Sequence, residues 1–384
     1  MIPYRRICCA AAAVLPFAAA CDSSTTVPRT GLSASAVAEQ TKHTSTPNAF
    51  TVFASGFDNP RGLTFGPDGN LYVAEGGRGG ATTTVGQCTQ VVAPVGPYTS
   101  GRTAHISKVS RTGVRTVIAD NLPSSQTSVA LGSLVSGVAD VTFIGRTLYA
   151  LLAGAGCSHG VADVPNGIIK VGPNGQWSLV ANLSAFLMAH PVAHPEPDDF
   201  EPDGTWYSMV AVHDQLFAVE PNHGEVDRIS PRGEIKRLVD VSASQGHIVP
   251  TSIAHHGVLY LANLNTFPVM PGSSKLMQVT PSGRLHVQMS GLTAVTGLAF
   301  DHEHRLYALE TTGCPSQPCF PTPGTGRVVR IDDHGKLVPI VTGLTTPTAM
   351  TFGPDRKLYI SNNGYGAPAG AGQIVRVDVS DKDK

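Results

Sequence analysis

Six copies of one short phrase run through this chain: Leu71-Tyr72-Val73, Leu148-Tyr149-Ala150, Leu216-Phe217-Ala218, Leu259-Tyr260-Leu261, Leu306-Tyr307-Ala308 and Leu358-Tyr359-Ile360. Recurrence of an apolar and aromatic triplet requires a unit that repeats in space, since one such unit cannot bury its apolar faces alone and needs a neighbour of the same kind. A second apolar run precedes the phrase, as in Gly62-Leu63-Thr64-Phe65, Asp140-Val141-Thr142-Phe143, Gly297-Leu298-Ala299-Phe300 and Ala349-Met350-Thr351-Phe352. Turns such as GPDGN (66–70), DHEHR (301–305) and GPDRK (353–357) join the two runs, which is the grammar of a hairpin. A loop of variable length then leads to a third run, ending at Lys108-Val109, Lys170-Val171, Arg228-Ile229, Gln278-Val279, Arg330-Ile331 or Arg376-Val377. Five copies continue through a turn with glycine at a fixed place (Gly113, Gly175, Gly233, Gly283, Gly335) into a fourth run. Four strands per repeat make a propeller blade.

The sixth copy stops after its third run, and the missing fourth is found at the other end of the domain, in Thr51-Val52-Phe53-Ala54-Ser55-Gly56. Pairing of that segment beside residues 373–379 closes a ring and hides the strand edges. The fold class is therefore all-β: a six-bladed β-propeller over residues 49–380, closed by an N-terminal strand that completes the last blade. Triplet spacing is uneven, 77 between the first two copies against 47 between the fourth and fifth and 52 between the last two, so insertions decorate a regular core. Loops on a rigid scaffold are where recognition concentrates.

Formal net charge is −1, only 14% of residues are charged, and no Lys/Arg cluster occurs, which argues against nucleic acid and anionic membrane surfaces as partners. Arg5-Arg6 followed by the apolar stretch Ile7 to Ala20 has the form of a signal peptide (1–20). Ala18-Ala19-Ala20 before Cys21 fits two processing routes: a bacterial lipoprotein signal with the lipid on the Cys21 thiol, although Ala18 stands where that signal prefers Leu or Val, or ordinary Ala-x-Ala cleavage. Either route predicts export, to the periplasm or cell surface if lipid-anchored and otherwise by secretion, with the Ser/Thr-rich segment 21–48 as a flexible tether. Cys88, Cys157, Cys314 and Cys319 then meet an oxidising compartment; of their three connectivities we expect Cys88 with Cys157 and Cys314 with Cys319. The first pair would clamp the two largest early insertions. A zinc site of Cys-x4-Cys type lacks a second cysteine pair at suitable spacing.

Aligned on the triplet, the position two residues further on reads Glu75, Leu152, Glu220, Asn263, Glu310 and Asn362. Equivalent positions lie on a circle about a propeller axis, and a ring of Glu and Asn oxygens suits a hard divalent cation such as calcium. The same residue types also serve as loop organisers that bond backbone inside their own blade. A second circle, at the start of each first strand, reads Arg61, Val138, Tyr207, Thr251, Thr296 and Thr348. First strands line the channel, so Arg61, Tyr207 and Thr251 are candidate ligand-binding residues, with the guanidinium an anchor for a carboxylate or other anion. The competing role for Arg61 is an ion pair with Glu75 or Asp58. The segment HPVAHPEPDDFEPDGTWY (190–207) carries His190, His194, Glu196, Asp198, Asp199, Glu201 and Asp203 without specific spacing; its prolines exclude helix, and it reads as a solvated acidic loop. His255, His256, His302 and His304 fall at turns. No Ser/His/Asp order, nucleophile elbow, Walker loop or Rossmann fingerprint is visible.

The run VFASGFDNPRGLTFGPDGNLYVAEGGRGG (52–80), together with VPTSIAHHGVLYLANLNTFPV (249–269) and GAGQIVRVDV (370–379), resembles the ScyD/ScyE family. The resemblance implies an exported, NHL-like or gluconolactonase-like six-bladed propeller and says little about chemistry. Two functions follow as expectations. One is a binding or scaffolding module for a small molecule, glycan or protein; the other is a metal-dependent, calcium-type lactonase-like hydrolase or lyase working at the axial mouth.

Overall fold

In a computed structural model the described residues are 47–196 and 200–379. The expected signal segment, Cys21 and nearly all of the expected tether lie outside them. Six small antiparallel sheets follow one another along the chain, five with four strands and one with five. The first blade runs Pro60–Phe65, Leu71–Glu75, Thr99–Val109 and Arg115–Gln126, with the short Val135–Ser136 added at its rim. The last is built from Ala349–Phe352, Leu358–Asn362, Gly372–Val377 and the N-terminal strand Phe50–Phe57. Phe50 stands opposite Val377 and Phe57 opposite Gly372, the closure expected from the displaced fourth run.

Side chains of a strand point alternately to its two faces, and the triplet uses both. Leu148 and Ala150 pack into the cluster shared with the first blade, whereas Tyr149 packs into the cluster shared with the third. The same division holds for Leu306 and Ala308 against Tyr307, and for Leu358 and Ile360 against Tyr359. Four of the six aromatics then meet a phenylalanine at or next to the end of the next blade's first strand, edge to face. Tyr72 lies 4.9 Å from Phe143, Tyr260 5.1 Å from Phe300, Tyr307 5.0 Å from Phe352 and Tyr359 5.0 Å from Phe65. Each such contact contributes about 0.5–1.5 kcal/mol beyond area burial. The phrase therefore recurs because every blade has to fill the same two-sided gap.

Both expected disulfides are present, Cys88–Cys157 with Cα atoms 6.3 Å apart and Cys314–Cys319 at 5.2 Å. All four cysteines lie in loops between second and third strands. The first bridge joins the insertions of adjacent blades.

Candidate functional site

The first strands of all six blades surround an axial cavity of about 510 Å³. Each is the inner edge of its sheet, with a side open to the channel. Exposure is uneven along the lining: Thr296 and Thr348 are buried at the starts of their strands, while Phe300, Thr351 and Phe352 are half-buried and His302 is exposed toward the hairpin turns.

The second circle of sequence positions proves to be a girdle. Thr251 Oγ1 donates to Val295 O of the next blade at 2.6 Å, Thr296 Oγ1 to Pro347 O at 3.2 Å, and Thr348 Oγ1 to Pro60 O at 2.7 Å. Ser208 Oγ donates to Thr251 O. Asp140 accepts the Met209 N–H at 2.8 Å, and Arg61 Nη2 donates to Val135 O at the rim of its own blade, just before the second blade begins. Thr251 is thus buried and its hydroxyl is spent on a blade junction, which corrects its assignment to a ligand.

Arg61 and Tyr207 do line the cavity. The expected competitors for Arg61 are engaged elsewhere: Glu75 pairs with Arg115 at 2.8 Å and His105 at 3.1 Å, and Asp58 with Arg78 at 3.2 Å. Among the described residues no carboxylate pairs with Arg61. Burial lowers the guanidinium below its ordinary value, opposed by the phenols of Tyr207 and Tyr365. Tyr207 donates to Thr348 O at 3.1 Å, and burial raises its phenol. Burial also pushes the Tyr365 phenol up to about 12; its hydroxyl lies 2.9 Å from Thr311 Oγ1.

Sequence reasoning missed Asp140. This carboxyl lines the same cavity, accepts N–H groups from Val141 and Met209 at 2.8 Å each, and is pushed up to about 7 by burial. It lies so close to the Cα of Gly62 that a Cβ there would fall 1.8 Å from Asp140 Oδ1. The available signal was an acid aligned with Gly62, Gly297 and Ala349 of other copies.

The five oxygen-bearing residues after the triplet do not converge on one ion. Each reaches back 15 to 17 residues to the start of its own blade: Glu75 accepts the N–H of Asp58, Glu220 that of Thr205, Glu310 that of Thr293 and Asn362 that of Thr345, while Asn263 donates to Ile248 O. Remaining oxygens are also taken, by Ser107 and Arg115 at Glu75, the His223 N–H at Glu220, the Lys275 N–H at Asn263 and Arg327 at Glu310. A cation would have to displace these donors. Among the described residues no group of three or more His, Cys, Asp or Glu side chains is arranged to hold a metal.

The proline-rich segment also departs from expectation. Glu201 and Asp203 are buried rather than solvated. Asp203 accepts the N–H and hydroxyl of Ser158, both at 2.7 Å, and Glu201 accepts the Tyr98 hydroxyl at 2.6 Å beside buried His159 at 3.3 Å. These acids fasten the segment to the insertions of the first two blades, and contacts so distant in sequence leave no spacing signal. His190 and His194 are exposed; Asp198 and Asp199 lie outside the described residues.

By sequence, no family model and no curated protein matches the chain. Among solved structures it is similar to a protein of unknown function from Bacteroides thetaiotaomicron (10% identity, 86% of this chain and 72% of that one, TM-score 0.52). A Thermus thermophilus protein named as an oxidoreductase (glucose dehydrogenase) is similar at 16% identity, over 86% of this chain and 100% of that one, with a TM-score of 0.50. A gluconolactonase from Xanthomonas campestris also matches (11% identity, 86% and 89% coverage, TM-score 0.49). At these identities the likeness is one of fold.

Proposed function

We propose that this propeller is an exported binding module of the ScyD/ScyE type whose ligand is a small molecule bearing a carboxylate, held in the axial channel on Arg61 with Tyr207 beside it. The observation that carries this reading is a half-buried guanidinium in a cavity wall without a carboxylate partner among the described residues. A partly desolvated charge without a counter-ion is unfavourable, and an incoming carboxylate supplies one with bidentate geometry. Export rests on the signal-like segment 1–20 and on the paired cysteines. The lactonase-like alternative through calcium would draw on Glu75, Glu220, Asn263, Glu310 and Asn362, whose polar atoms already organise their own blades. A scaffolding role for a glycan or protein leaves the channel charge without purpose.

The test is equilibrium binding of straight-chain carboxylates of two to six carbons to purified protein and to Arg61→Gln. A hydrogen bond to a charged group contributes about 1.5–3 kcal/mol, so the variant is expected to bind at least about tenfold more weakly. Carboxylate affinity unchanged by Arg61→Gln, or no binding by any member of the series, overturns the proposal.

A further inference from the structure

The same channel also holds a carboxyl without a cationic partner among the described residues. Asp140 enters from the blade adjacent to that of Arg61, accepts only backbone N–H groups, and makes no ion pair with Arg61 or any other described cation. Tyr207 lines the same cavity, and its phenol is influenced by both the Arg61 guanidinium and the Asp140 carboxyl. Each Asp140 oxygen accepts one N–H, which leaves acceptor capacity on both.

We infer that the channel is built for a zwitterion, an amino acid or amino-carboxylate whose carboxylate sits on Arg61 and whose ammonium sits on Asp140. This deepens the reading of the channel as a carboxylate site and rests on it. A plain carboxylate satisfies Arg61 and leaves Asp140 worse placed, because it brings a second negative charge into the cavity. A plain amine does the reverse. Only a ligand carrying both charges gives each of these two half-buried groups a counter-ion.

Proton linkage separates these cases. Near neutrality the burial-raised Asp140 is partly protonated. An ammonium beside it favours the ionised form, so zwitterion binding releases protons; a lone carboxylate favours the protonated form, so its binding takes protons up. The other titratable or charged groups facing the cavity are Arg61, Tyr207, Asp301, His255 and His302. Asp301 is lowered by its hydrogen bonds and by Arg305, and burial and neighbouring histidines lower His255.

The experiment is isothermal titration at pH 7, in two buffers of different ionisation enthalpy, of glycine, β-alanine, 4-aminobutyrate and 6-aminohexanoate, each against the acid lacking its amine. At least one amino acid is expected to bind about tenfold or more tightly than its deaminated partner and to release protons while the partner takes them up. Asp140→Asn should erase that preference and the proton release yet keep carboxylate binding. Its folding is checked by circular dichroism, and the proton balance of the unaltered protein stands if the variant fails to fold. If carboxylates bind through Arg61 but no amino acid exceeds its partner, or the proton counts share one sign, the zwitterion inference fails and the carboxylate site survives. If Arg61→Gln changes nothing, both fall.

Discussion

Glu225 and Asp227 are two fully buried neighbouring carboxyls with one guanidinium, Arg237, which pairs with Glu225. Burial raises both, and the charge of Asp227 raises Glu225 further. A raised folded-state value means stability is full below the ordinary carboxylate range and is lost as pH rises through the folded value. Melting temperature should therefore fall between pH 6 and pH 9, and Asp227→Asn should flatten that decline, recovering on the order of 1–3 kcal/mol at pH 9 in denaturant titrations; a slope identical to the parent's would refute the assignment. The loop-organising residues two positions after the triplet behave differently. Glu220→Ala leaves the N–H groups of Thr205 and His223 without their acceptor, at a cost of about 1–3 kcal/mol, with little effect on carboxylate binding. The positions of these residues were legible because they align with the triplet, but two chemistries fitted them. Asp140, Glu225 and Asp227 were not legible as a charge problem at all, since burial and missing partners belong to the folded chain.

At the scale of the element, the repeat exposed its own logic. Period-two alternation, turn residues and the displaced fourth strand sufficed for the propeller, because the same local pattern was written six times and each copy corroborated the rest. What could not be read was where the long 190–207 segment goes, since its anchors Ser158, Tyr98 and His159 lie 45, 103 and about 40 residues from their partners. The closing strand makes a sharp prediction. Phe57 is wholly buried against Leu63, Leu71 and Ile374, so Phe57→Ala should destabilise by about 3–5 kcal/mol, whereas a substitution at exposed Val52 should cost little. Equal losses at the two sites in urea unfolding would show that the strand is not seated as described.

For the whole molecule, the two disulfides are not equivalent. The chain-entropy relation gives about 4 kcal/mol for a bridge spanning 69 residues and about 2 kcal/mol for one spanning 5. The double variant Cys88→Ser with Cys157→Ser should accordingly melt lower than Cys314→Ser with Cys319→Ser, and scanning calorimetry of the two decides the matter. The blade that closes the ring carries one more consequence, in mechanics. Phe50 begins its strand directly opposite Val377, where the partner strand ends. Forces that draw the two ends of the domain apart thus meet at one end of a single hydrogen-bonded ladder and open it rung by rung instead of shearing it all at once. The ring is only as strong in tension as one rung of its last seam, and the remaining five blades bear load only after that seam has parted.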